Sequence, residues 1–96
     1  MNLRALARGR DCQVRTAACN GDPETVVLAH YRAIGISGMG LKAPDILGAW
    51  CCSSCHELVD TGRHGEHELT REDRDAALMK GVLRTIAKLI NEGKIK

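Results

Sequence analysis

Two pairs of cysteines constrain this chain more than any other feature. Cys52 and Cys55 lie two residues apart in Cys51-Cys52-Ser53-Ser54-Cys55-His56. At that spacing a turn presents two thiolates to two corners of a tetrahedral zinc. Cys12 and Cys19 make a second pair, wider than the usual two to four residues between ligands, which serves if the two flank a turn that returns the chain. The chain has 96 residues, no phenylalanine, and Tyr31 and Trp50 as its only large aromatic side chains. One small domain, residues 1–96, with a thin core of Leu, Ile, Val and Ala is expected, and such domains usually carry a staple of disulfides or metal. Five cysteines would leave one over from a closed disulfide set. A structural Zn²⁺ on Cys12, Cys19, Cys52 and Cys55 is therefore expected. The plainer alternative is four buried thiols packing as small hydrophobes. Cys51, the odd one, reads as a core residue pointing away from Cys52.

The first ten residues are basic but hold no apolar run of signal-peptide length, and no segment approaches the ~20 apolar residues of a membrane span. A cytoplasmic protein with no membrane contact is expected, a compartment in which clustered cysteines point to metal. The formal net charge of +2 says little by itself. Its distribution says more: Arg4, Arg8, Arg10, Arg15, Arg32 and Lys42 face only Asp11, Asp22 and Glu24 in residues 1–42. This basic lobe suits phosphate contact, with Arg10, Arg15, Arg32 and Lys42 as candidate nucleic-acid ligands; an ordinary solvated surface would look the same.

Residues 3–8 can form a helical turn ended by Gly9. Cys12 to Cys19 reads as a short strand and connection, Asn20-Gly21-Asp22-Pro23 as a turn, and Thr25 to Tyr31, β-branched and apolar, as a buried strand. Together they predict a β-hairpin with His30 near the end of its second strand. Gly35-Ile36-Ser37-Gly38-Met39-Gly40 is a loop without the lysine of a phosphate-cradling P-loop. Pro44 to Trp50 is compatible with a helical turn or an extended segment. A short helix from about Ser53 to Asp60, stopped at Gly62, places His56 and Asp60 on one face. Residues 61–68 form a polar connection holding His64 and His67. Thr70 with Asp73 resembles a capping box, and Leu78, Val82, Ile86, Leu89 and Ile90 recur at helical steps. A long C-terminal helix over about 70–92 follows.

The segments Arg10-x-Cys12-Gln13-Val14-Arg15, Cys19-Asn20-Gly21, Pro23-Glu24-Thr25, Leu28-Ala29-His30-Tyr31-Arg32, Pro44-Asp45 and Cys52-x2-Cys55-His56, with Asp60 and His64 beyond, resemble the HNH, or ββα-metal, endonuclease superfamily. More narrowly they resemble the small phage and prophage nucleases of the YbcO type. Ala29-His30-Tyr31-Arg32 is also similar to the histidine motif of phage NinG recombination proteins. The resemblance implies an α+β, zinc-held ββα-metal fold and a metal-dependent endonuclease acting on DNA in phage or prophage processing or recombination. It implies His30 as general base, His56 as the histidine opening the metal-binding helix, Asp60 or His64 as further ligand of a catalytic divalent ion such as Mg²⁺, and Asp45 near the place of the HNH asparagine. Ala29 and Asp45 depart from the pattern, since many HNH enzymes have a metal-ligating Asp or His at the first position and asparagine at the second. The rival expectation is a non-catalytic zinc module that binds nucleic acid or a partner protein.

Overall fold

Strand β2, Gly48–Cys51, is buried along its whole length and everything else is arranged about it. In this computed structural model, which describes residues 2–31 and 44–95, helix α1 (Leu3–Leu6) leads through a loop to β1 (Val27–His30). After β2 come helix α2 (Ser53–Thr61), the two-residue strands β3 (Arg63–His64) and β4 (His67–Glu68), and helix α3 (Arg71–Asn91). The α+β class and the C-terminal helix are as expected.

β1 and β2 pair antiparallel, Leu28 opposite Trp50 and His30 opposite Gly48. Trp50 is 2% exposed and is held on both of its backbone groups by other elements. Its N–H donates to the Thr85 hydroxyl of α3 (3.0 Å), and its carbonyl accepts from Gln13 N–H (2.7 Å). Each buried backbone group is thereby satisfied without a third strand. α3 crosses this layer at Gly81, where a methyl group would meet Val14 Cγ2 at 2.7 Å and Ala49 Cβ at 3.1 Å; only a residue without a side chain allows helix and strand to come so close.

The local signals for the two longer helices hold. The Thr70 side chain accepts from Asp73 N–H at the start of α3. Gly62 ends α2 in the left-handed region, φ +86°, a conformation glycine adopts without strain. The hairpin expectation needs correcting. Residues 12–19 form no strand, and His30 ends the first strand of a β1–β2 pair rather than the second strand of an earlier hairpin. The reason lies in the loop's other obligations. Arg15 turns the chain at φ +55°, and Asp22 caps a 3₁₀ turn at Pro23–Thr25 instead of closing a two-strand turn. Pro44 to Trp50 is both things considered, a 3₁₀ turn at Asp45–Leu47 running into β2. Residues 63–68 make a small antiparallel ribbon instead of a plain connection.

Candidate functional site

The sulfur ligands come from three places in the chain: the 12–19 loop, the end of β2 and the first turn of α2. The Sγ atoms of Cys12, Cys19, Cys52 and Cys55 all lie within 4.8 Å of one another. Among the described residues this is the one group of three or more such side chains placed to hold a metal ion. Cys52 is the N-cap of α2, its sulfur accepting from Cys55 N–H (3.4 Å) and lying 3.9 Å from Cys19 Sγ. Cys55 Sγ accepts from Thr16 N–H (3.4 Å), with the Thr16 hydroxyl 3.0 Å away. Donors aimed at sulfur favour thiolate, the form that binds metal.

The protonation pattern reflects the same crowding. The hydrogen bond from Cys51 and then that from Cys55 pull the Cys12 thiol strongly down. Its hydrogen bond with Cys12 leaves Cys55 pushed up to about 12, and burial raises Cys19. Cysteines bind metal as thiolates, so a divalent ion would take the place of the thiol protons in this cluster. The four cysteines could hold a metal ion, and the set suits structural zinc. Cys51 is fully buried in β2, in the core as read from the sequence, and hydrogen bonds to Cys12 and Cys55 drive its pKa far upward.

A second constellation lies at the end of β1. His30 Nε2 is 2.7 Å from Asp45 Oδ1, and the Arg4 Nε is 3.5 Å from the same oxygen. The His30 hydrogen bond, with help from the Arg4 charge, holds the Asp45 carboxyl below the usual carboxylate range. An ionised carboxylate can only accept, so Nε2 is the donor in this contact and Nδ1 is the ring nitrogen left for other partners. His30 opens onto a cleft of about 400 Å³ lined also by Arg4, Arg8, Val26 and the β1 residues Val27 and Leu28. His30 and Asp45, fifteen residues apart, are thus brought together.

His56, Asp60 and His64 do not form a second group of three ligand atoms close enough together to hold an ion. His56 is exposed on α2, and His64 Nδ1 is engaged by Glu57 Oε2 at 2.7 Å. The three do not fit a second ion as a set. Arg10 is engaged within the chain: it forms a two-pronged ion pair with Glu92 (2.5 and 2.7 Å) and lies 4.7 Å over the Trp50 ring. Arg15 folds back onto the Cys12 carbonyl (3.3 Å) and the Gln13 side chain (3.1 Å). Arg32, Lys42 and the glycine-rich segment 35–40 lie outside the described residues. Arg4 and Arg8, which line the cleft beside His30, were not among the expected site residues, although both belong to the basic lobe of the sequence.

None of the described helices is long and apolar enough to cross a membrane. The family described as "Putative nuclease YbcO" matches residues 1–94. Two relatives called putative nuclease YbcO, from Escherichia coli strain K12 and Enterobacteria phage 82, are each 42% identical over 96 residues, covering 99% of this chain and 97% of the relative. A solved structure described as a putative bacteriophage protein from Escherichia coli K-12 MG1655 superposes with a TM-score of 0.75 at 36% identity, over 96% of this chain and all of that one. With a match running almost end to end, the chain belongs to the YbcO family of putative nucleases.

Proposed function

We propose that this protein hydrolyses nucleic-acid phosphodiester bonds, DNA in the first instance, as an HNH-type endonuclease in phage or prophage processing or recombination. The observation that carries the reading is the Asp45–His30 contact at the rim of a cleft lined by two arginines, in a family whose relatives are called nucleases. Asp45 fixes the tautomer and orientation of His30. In the neutral ring, Nδ1 then takes a proton from water as that water attacks phosphorus, the P–O bond to the leaving sugar oxygen breaks, and that oxygen takes a proton from solvent. Arg4 and Arg8 offer guanidinium groups to the phosphate oxygens, whose charge grows in the transition state. Because His56, Asp60 and His64 do not form such a group, no step is routed through a second ion. Dependence on Mg²⁺, Mn²⁺ or Ni²⁺ is part of the proposal only as something to be measured. The zinc holds the 12–19 loop to β2 and α2 and takes no part in the chemistry.

The test is cleavage of plasmid DNA and of RNA by zinc-loaded protein, with each divalent ion in turn and with EDTA. Products from wild type and none from His30→Ala support the reading. The rival, a non-catalytic zinc module, draws on the scatter of the three helix-side ligands; it predicts nucleic-acid or protein binding with no cleavage under any ion.

A further inference from the structure

Between Asp75 and Glu92 the only charged residues of the chain are Lys80, Arg84 and Lys88, all positive and four apart on α3. That spacing sets them along one flank of the helix, at steps of about 6 Å along its axis. The flank meets the loop that holds Cys12. Arg84 Nη1 donates to the Gln13 carbonyl (2.9 Å), and Arg15 Nη2 donates to the Gln13 side-chain oxygen (3.1 Å). One buried residue thus holds both guanidinium groups. Lys88 borders a hollow of about 150 Å³ with Gln13 and Trp50, so it belongs to the same surface. The acceptors on Gln13 are neutral and leave both charges in place. Asp11 and Glu92 border the Lys88 hollow, but Glu92 is bonded by Arg10. Among the described residues, none of Arg15, Lys80, Arg84 and Lys88 forms a salt bridge.

Like charges gathered on one surface repel one another, and a polyanion relieves that repulsion. We propose that this face is a second nucleic-acid contact, in which Arg15, Lys80, Arg84 and Lys88 bind backbone phosphates of a DNA duplex away from the scissile bond. Its place in the fold favours DNA over an acidic protein. The His30 cleft runs along β1 and carries Arg4 and Arg8, whereas α3 joins the opposite edge of β2, where Trp50 N–H meets Thr85. Cations of one sign therefore stand on both sides of the two-stranded sheet, and one long polyanion can meet both sets. Contacts from Lys and Arg to phosphates fix register and orientation without reading sequence. The face adds hold on the flanking duplex and supplies no group to the reaction. The inference goes beyond the reading of the cleft and does not require that His30 cut, since a binding module would use the same face.

The test is fluorescence anisotropy of a labelled DNA duplex several helical turns long, titrated with the full zinc-loaded chain over a series of salt concentrations. No divalent ion is added, and circular dichroism and zinc content report folding. Lys80→Gln and Lys88→Gln, at exposed positions, should each weaken binding and lower the slope of log K against log salt by about 0.9. Adding Arg84→Gln should bring the total loss of slope to about two to three. If Arg84→Gln loosens the Gln13 loop and fails to fold, the Lys80→Gln/Lys88→Gln double variant carries the test. Arg63→Gln removes the same charge from the exposed β3–β4 ribbon and should leave affinity and slope as in wild type. A double variant that binds with wild-type affinity and slope overturns the proposal. So does an equal loss from Arg63→Gln, which would be an effect of net charge alone, or a wild type that does not bind DNA. Cleavage is not the readout, so an unchanged double variant strikes this face and leaves the His30 reading to its own test.

Discussion

Removing the zinc should unfold the domain rather than loosen one loop. Residues 12–19 contain no helix or strand, and ordering them costs about 8–16 kcal/mol in backbone entropy. Against this the loop buries Val14 (3% exposed), worth about 1.5–3 kcal/mol. It also makes hydrogen bonds from Gln13 N–H to Trp50 and from Arg84 to the Gln13 carbonyl, worth about 1 kcal/mol each. The difference, several kcal/mol, is within what a structural zinc supplies, apparent values running to ~10–16 kcal/mol. Val14 also packs against Gly81 of α3 and Gln13 caps the Trp50 carbonyl, so loss of the loop uncovers the centre of the core. Excess chelator, or Cys55→Ser, should lower Tm by more than about 20 °C. Elemental analysis should find one zinc per chain, and affinity should fall with acid as the thiolates are protonated. Absence of zinc from freshly purified protein, together with an unchanged melt in chelator, would refute the argument.

Asp45→Asn should lower kcat on the order of 10- to 100-fold with little change in KM, because the His30 orientation is lost while the cleft remains; single-turnover rates check it, and a rate equal to wild type would remove Asp45 from the mechanism. Its Tm deficit relative to wild type should be present above about pH 4 and vanish as pH falls through the folded pKa, since that pKa is held below the unfolded value. The same sign applies to Glu92, whose carboxyl is held down by the hydrogen bond from Arg10, so Glu92→Gln should lose Tm at neutral pH and match wild type near pH 2 in a melting series. Gly48→Ala should cost about 1–3 kcal/mol by chemical denaturation, because a methyl there overlaps the Leu28 side chain; an unchanged midpoint would mean that Leu28 moves freely.

The cysteine set was legible because zinc ligation imposes its own spacing, and α3 because a capping residue and a helical repeat agree over many residues. The pairing of β1 with β2 was hidden. Gly48-Ala49-Trp50-Cys51 lacks the β-branched pattern of a strand, and its partner lies beyond residues 32–43. The partners of Arg10 and Arg15 within the chain were hidden for a related reason. A basic residue close in sequence to ligand cysteines looks available, but Glu92, at the far end of α3, claims Arg10, and the left-handed turn at Arg15 folds its side chain onto its own loop. Neither the His30–Asp45 contact nor the engagement of His64 by Glu57 across the α2–β3 turn had a signal in spacing alone.

The most direct test of the proposed function is single-turnover cleavage of DNA by His30→Ala, normalised to zinc-loaded, folded protein. His30 is a half-buried strand-end residue whose ring contacts Asp45 at the cleft, so its removal should leave zinc content, circular dichroism and DNA affinity close to wild type. Cleavage should fall roughly 10²- to 10⁴-fold. Wild-type rates from a folded His30→Ala protein would contradict the assignment of His30 as the base.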